Sequence, residues 1–224
     1  MSTSRQVTWQ GPPRPGDVTE DFPACVAPDA CLRAHSADYG PGWFASVDRV
    51  DSPLGGRFDL VATVDDEGSD EWTDLGRGTL YCANDLEAAL RERLGEAFAG
   101  RRFIAASELH DTSVSVVYTA ESGLGRCLAD TFNATGILTR EISVMSDYEV
   151  TRAWALEFDG WNFDGLAYEP RSTPGVNRIA FALFGPAGPA PWLTWSPHPT
   201  WWQEIVDSGI VHARVSGRKA RILH

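Results

Sequence analysis

Glu92 is the residue in this chain whose surroundings best suit chemistry. At helical spacing its neighbours are Ala88, Gly95 and Ala99, all small. A carboxylate flanked by small residues leaves room for a reactant to come close. Spacing alone equally allows a solvated glutamate on an outer helix face. Other catalytic constellations fit poorly. His35, His110, His198, His212 and His224 are scattered, and no Gly-x-Ser-x-Gly elbow occurs. Gly123-Leu124-Gly125 lacks the third glycine of a dinucleotide fingerprint, and no glycine loop ends in Gly-Lys-Ser/Thr. Cys25 and Cys31 lack zinc-type spacing and a matching Cys/His pair, so no metal is expected.

The elements that must hold Glu92 are a strand, a tight turn and a helix. Thr79 to Cys82 is β-prone and apolar. Asn84 followed by Glu87 reads as an N-cap with a capping-box partner. Leu86, Ala89, Leu90, Leu94 and Ala97 recur at helical spacing, with the helix expected to end near Ala99-Gly100. Glu92 lies roughly opposite that stripe. Strands are expected at 103–106, 113–119, 163–168 and 178–184, a helix over 147–158 with Ser146 as N-cap, and a short helix over 201–206. Residues 128–135 read as a short helix or an irregular connection, and 209–215 as a closing strand. The acidic stretch from Asp65 to Glu71 reads as a solvated insertion.

Residues 1–28, dense in Pro and Gly, read as a loose arm whose first packing residues are Val18 and Phe22. No further boundary or internal repeat appears, so 29–224 reads as one α+β domain. A net charge of -12 argues against non-specific nucleic-acid binding. No run has the length of a membrane span and no secretion signal opens the chain. Four cysteines in this length favour reduced thiols in a cytoplasmic protein.

Gly78-Thr79-Leu80-Tyr81-Cys82-Ala83 followed by Ala88-Ala89-Leu90-Arg91-Glu92 resembles the RES domain family, named for its Arg, Glu and Ser. Cys31-Leu32-Arg33-Ala34-His35, Gly55-Gly56-Arg57-Phe58, Phe163-Asp164-Gly165-Leu166-Ala167-Tyr168 and Arg178 to Phe184 follow the family's order and gaps. The resemblance covers about residues 31–185, and a Trp-rich extension occupies 186–224. It implies a RES/ADP-ribosyltransferase-like fold with a mixed, mainly antiparallel sheet and flanking helices. It further implies NAD as substrate, with cleavage of the nicotinamide–ribose bond and attack by phosphate or another acceptor, in the toxin of a toxin–antitoxin pair.

In that reading Glu92 steadies an oxocarbenium-like centre. Tyr81 meets the nicotinamide ribose, and Arg33 and Arg57 hold the pyrophosphate through planar guanidinium forks. Without the resemblance, Arg33 reads as a surface salt bridge and Arg57 as a cap on turn carbonyls. One position departs. Pro170 stands where the family has its serine, within Glu169-Pro170-Arg171-Ser172. Either Ser172 serves two residues later, or the serine is absent. Absence fits a diverged RES-like binding module, and a protein acceptor would make the chain an ADP-ribosyltransferase.

Overall fold

The computed structural model describes residues 10–36, 38–46, 56–63, 72–95, 105–145, 148–171, 177–209, 214–215 and 218–219. Their strands are β1 (Ala24–Cys25), β2 (Ala30–Ser36), β3 (Trp43–Phe44), β4 (Val61–Thr63), β5 (Trp72–Asp74), β6 (Arg77–Ala83) and β7 (Thr112–Tyr118). β8 (Leu128–Asp130), β9 (Gly165–Tyr168), β10 (Ala180–Pro186), β11 (Gly188–Pro189), β12 (Trp195–Pro197), β13 (Arg214–Val215) and β14 (Arg218–Lys219) follow. The α-helices are α1 (Leu86–Leu94), α2 (Thr119–Ser122), α3 (Tyr148–Gly160) and α4 (Trp201–Asp207).

Eight strands make the main sheet, in the order β1-β8-β9-β10-β6-β2-β7-β12. Every neighbouring pair is antiparallel except β8–β9. The centre is β10, whose run Ala180-Phe181-Ala182-Leu183-Phe184 is buried on both faces. A continuous apolar run is what a strand covered on both sides requires. The register sets Tyr168, Ala180 and Ala83 in one row and Leu166, Ala182 and Tyr81 in the next. Those rows face a core built on Val18, Phe22, Phe58, Trp154 and Phe158. The other face packs Phe44, Leu80, Cys82, Phe181, Leu183 and Leu193. This is an α+β domain with a mainly antiparallel sheet and helices against it, as expected.

β2 and β6 share a single register pair, Leu32 with Ala83. Towards its start, β6 pairs instead with Ala45, through Ala45 N–H to Thr79 C=O (2.9 Å) and Thr79 N–H to Ala45 C=O (2.8 Å). Two short segments therefore divide one edge of β6.

Several local expectations change. The N-cap of α1 is Asp85, whose carboxylate accepts from Ala88 N–H at 3.0 Å. Asn84 is drawn away by the segment leading into β10: its Oδ1 accepts from Ile179 N–H at 2.9 Å and its Nδ2 donates to Asn177 C=O at 2.7 Å. α1 ends at Leu94, capped by Gly95 at φ +58°, a left-handed value that favours glycine. Residues 128–130 form β8 and not a short helix, because β1 and β9 offer ladders on both sides. Residues 106–109 turn in a 3-10 helix where the end of a strand was expected. Residues 65–71, 97, 99, 103–104 and 146 lie outside the described residues. The segment read as a loose arm is tied down over its described part. Val18 and Phe22 are buried, and the Trp154 indole donates to Gly11 C=O at 2.9 Å. All four cysteines are free thiols. Among the described residues no helix is long and apolar enough to cross a membrane.

Candidate functional site

Glu92 sits on the face of α1 that looks back over the sheet, one turn after the fully buried Ala88. The small residues of the sheet rows matter here. Ala83, Ala180 and Ala182 leave room for two tyrosine rings to stand on the same face, Tyr168 at the end of β9 and Tyr81 near the end of β6. Phe58 packs on the Tyr168 ring with centroids 4.8 Å apart. So supported, the Tyr168 hydroxyl donates to Glu92 Oε2 at 2.7 Å. The backbone N–H of Arg171 also donates to the Glu92 carboxylate, and the charges of Arg57 and Arg171 act on it. Burial raises the Glu92 carboxyl above its ordinary range, and these donors and cations pull it partly back.

Arg57 is half-buried on the turn between the β3 region and β4. Its Nη1 donates to Ser143 C=O. Its buried Nε has no hydrogen-bond partner. Two guanidiniums lie over the Tyr148 ring, Arg57 at 5.9 Å and Arg152 at 5.7 Å from its centroid. Tyr81 does not point at Glu92. Its hydroxyl donates to Asp59 Oδ1 at 2.8 Å and accepts from Phe58 N–H at 2.9 Å. Burial, then the neighbouring Asp59 charge, raises the phenol well above its usual range.

Arg33 lies elsewhere. With Leu32 opposite Ala83, Arg33 stands on the Cys82 side of the sheet, away from Tyr81. It is 9% exposed, and burial lowers its pKa to about 10. Its Nη2 donates to Trp43 C=O at 2.6 Å, spanning the gap left where β2 parts from β6. Nε and Nη1 are buried without partners. The structure thus sets the charge of Arg57 near Glu92, turns the Tyr81 hydroxyl to Asp59 and places Arg33 on the reverse side of the sheet. Ser172 lies outside the described residues. Pro170, at the family's serine position, is buried, and the N–H that reaches Glu92 comes from the next residue.

Four participants escape a reading of the sequence: Tyr168, Asp59, Arg152 and Arg171. Tyr168 closes the Phe163–Tyr168 strand motif, and Asp59 directly follows the Gly-Arg-Phe turn. Their sequence neighbours were visible, but their partners come from sheet register. A half-buried carboxylate with two donors, a guanidinium charge acting on it and the small Ala88 one turn away can steady a positive centre. Among the described residues no group of three His, Cys, Asp or Glu is placed to hold a metal.

Residues 30–202 match the family model described as RES domain. No curated protein matches the chain. Among solved structures, a chain of the M. tuberculosis MbcT–MbcA toxin–antitoxin complex is similar, at 13% identity over 81% of this chain and 90% of that one, with a TM-score of 0.44.

Proposed function

The chain belongs to the RES domain family, and from that premise we propose that it binds NAD and breaks the nicotinamide–ribose bond. The observation that carries this is the carboxylate of Glu92, held by Tyr168 and the Arg171 N–H with Arg57 beside it. The C1–N bond to nicotinamide breaks and its electron pair leaves with the pyridine ring. The ribose C1 becomes oxocarbenium-like, and the ionised Glu92 steadies it. An oxygen of phosphate, or of another acceptor, then bonds to C1.

Arg57 is the guanidinium best placed for the pyrophosphate, since its buried Nε is unmatched. Arg33 gives a second reading of where the phosphates lie, because two of its buried nitrogens also lack partners. A cytoplasmic NAD pool and the toxin role, with a cognate antitoxin as partner, follow from the family resemblance.

Pure protein with NAD, with and without phosphate, decides the main point through release of nicotinamide. Clear NAD binding with no release would leave a RES-like binding module. Release accompanied by labelled protein would mark an ADP-ribosyltransferase. Calorimetry of Arg57→Ala and Arg33→Ala separates the two phosphate positions. Loss of about 2 kcal/mol in Arg57→Ala alone fits the turn. Loss in Arg33→Ala alone would put the phosphates against β2.

A further inference from the structure

The turn Gly56–Asp59 is held by side chains of β6 and α3 and by its own Asp59. Phe58 N–H donates to the Tyr81 hydroxyl at 2.9 Å, and that hydroxyl donates to Asp59 Oδ1 at 2.8 Å. Asp59 Oδ2 accepts from Gly56 N–H. Thr79 Oγ1 donates to Phe58 C=O at 2.8 Å, Thr151 Oγ1 to Arg57 C=O at 2.5 Å, and Arg152 Nε to Gly56 C=O at 3.3 Å. A Cβ on Gly56 would lie 2.3 Å from the Tyr81 oxygen and 2.6 Å from Asp59 Oδ1, so glycine is required where the pair closes over it.

A four-residue turn can close on its own i to i+3 bond, and one is present, from Asp59 N–H to Gly56 C=O at 3.4 Å. Everything beyond that fixes the turn in place. Asp59 is 2% exposed, and a buried carboxylate is costly unless donors surround it. Here Gly56 N–H, the Tyr81 hydroxyl and the charge of Arg152 do so. From this turn, the charge of Arg57 acts on Glu92. The single proton of the Tyr81 hydroxyl is committed to Asp59, so it is not available to a ribose oxygen.

We propose that Asp59 and Tyr81 form a buried key that fixes the Gly56–Asp59 turn and so holds the Arg57 guanidinium beside Glu92; both are positioning residues. This rests on the NAD reading of the site for its kinetic consequences. Arg57 binds the pyrophosphate in ground and transition states alike. Loosening it therefore weakens binding more than it slows the chemical step.

The test uses Tyr81→Phe and Asp59→Asn, both near-isosteric, in the full chain. Nicotinamide release should show KM raised about tenfold with kcat within about twofold of wild type. Neither change should add to Arg57→Ala, because all three act through one guanidinium. A fall in kcat at unchanged KM for Tyr81→Phe, or a full further loss in the Arg57→Ala background, would overturn the proposal and make Tyr81 a substrate contact. If Asp59→Asn does not fold, Tyr81→Phe carries the test alone. If wild type neither binds nor cleaves NAD, the NAD reading falls and the key is judged by amide exchange. Gly56 and Phe58 should then exchange at least about tenfold faster in the variants while β10 amides stay unchanged. Unaltered exchange at those two amides overturns the key.

Discussion

The Glu92 carboxyl is poised between two opposing influences, and pH reads out the balance. Burial raises its pKa, and the Tyr168 hydroxyl, Arg57 and the Arg171 N–H lower it again without cancelling the rise. The ionised form is the one that steadies positive charge. Nicotinamide release should therefore rise with pH through an ionisation above the ordinary carboxylate range, and Glu92→Gln should remove both the limb and most of the activity. A pH profile of kcat checks this. The stability sign is opposite. A raised carboxyl favours the fold below its unfolded pKa, and that contribution is lost as pH climbs through the folded one. Tyr168→Phe takes away a donor that lowers the carboxyl, so the limb should move to higher pH. A limb that stays in place or moves down would show that this bond does not act on the ionised form. In the sequence Glu92 was singled out by its small neighbours together with the family resemblance. Tyr168 was not, because nothing local links residues that far apart; the row Tyr168–Ala180–Ala83 does.

At the scale of elements, the strand–turn–helix unit was legible from periodicity, and its first cap was misread for an instructive reason. Asn84 and Asp85 are both good caps in isolation. The segment leading into β10 decides between them by taking both ends of the Asn84 amide and its backbone N–H, which donates to Ile179 C=O at 3.0 Å. Asp85 is left to the helix and also meets Arg178 Nε at 3.5 Å. Asp85→Ala should lower stability by about 1 kcal/mol, the usual worth of a cap, as measured by urea denaturation. An equal loss from Asn84→Ala would arise differently, through the strand link. The reverse-face placement of Arg33 was hidden for a similar reason. Alternation along β2 fixes which residues share a side, but only the pairing of Leu32 with Ala83 fixes which side that is relative to Tyr81.

For the whole molecule, the α+β class followed from alternating strand and helix patterns, and Val18 and Phe22 were rightly picked as packing residues. Pro and Gly density hid how firmly the segment around them is held. Phe22 lies 5.1 Å from Phe158 and 5.9 Å from Phe163, ring to ring, inside the first core. Phe22→Ala should cost about 3–5 kcal/mol in a denaturation experiment, more than a peripheral strap would suggest. The sheet itself is less uniform than its eight strands imply. On one side of the Leu32–Ala83 pair stand β1, β8, β9, β10 and β6, and on the other β2, β7 and β12. Inside each group longer ladders run, such as the seven pairs of β10 with β6 and the seven of β2 with β7. To a mechanical load this is a fabric with one weak stitch. Force applied between anchors in β10 and β7, across the strands, should part the sheet there first, with a low-force step before the rupture of either ladder. Optical-trap pulling would register the two steps, and a single rupture would mean that α1, lying over both groups, carries the load instead.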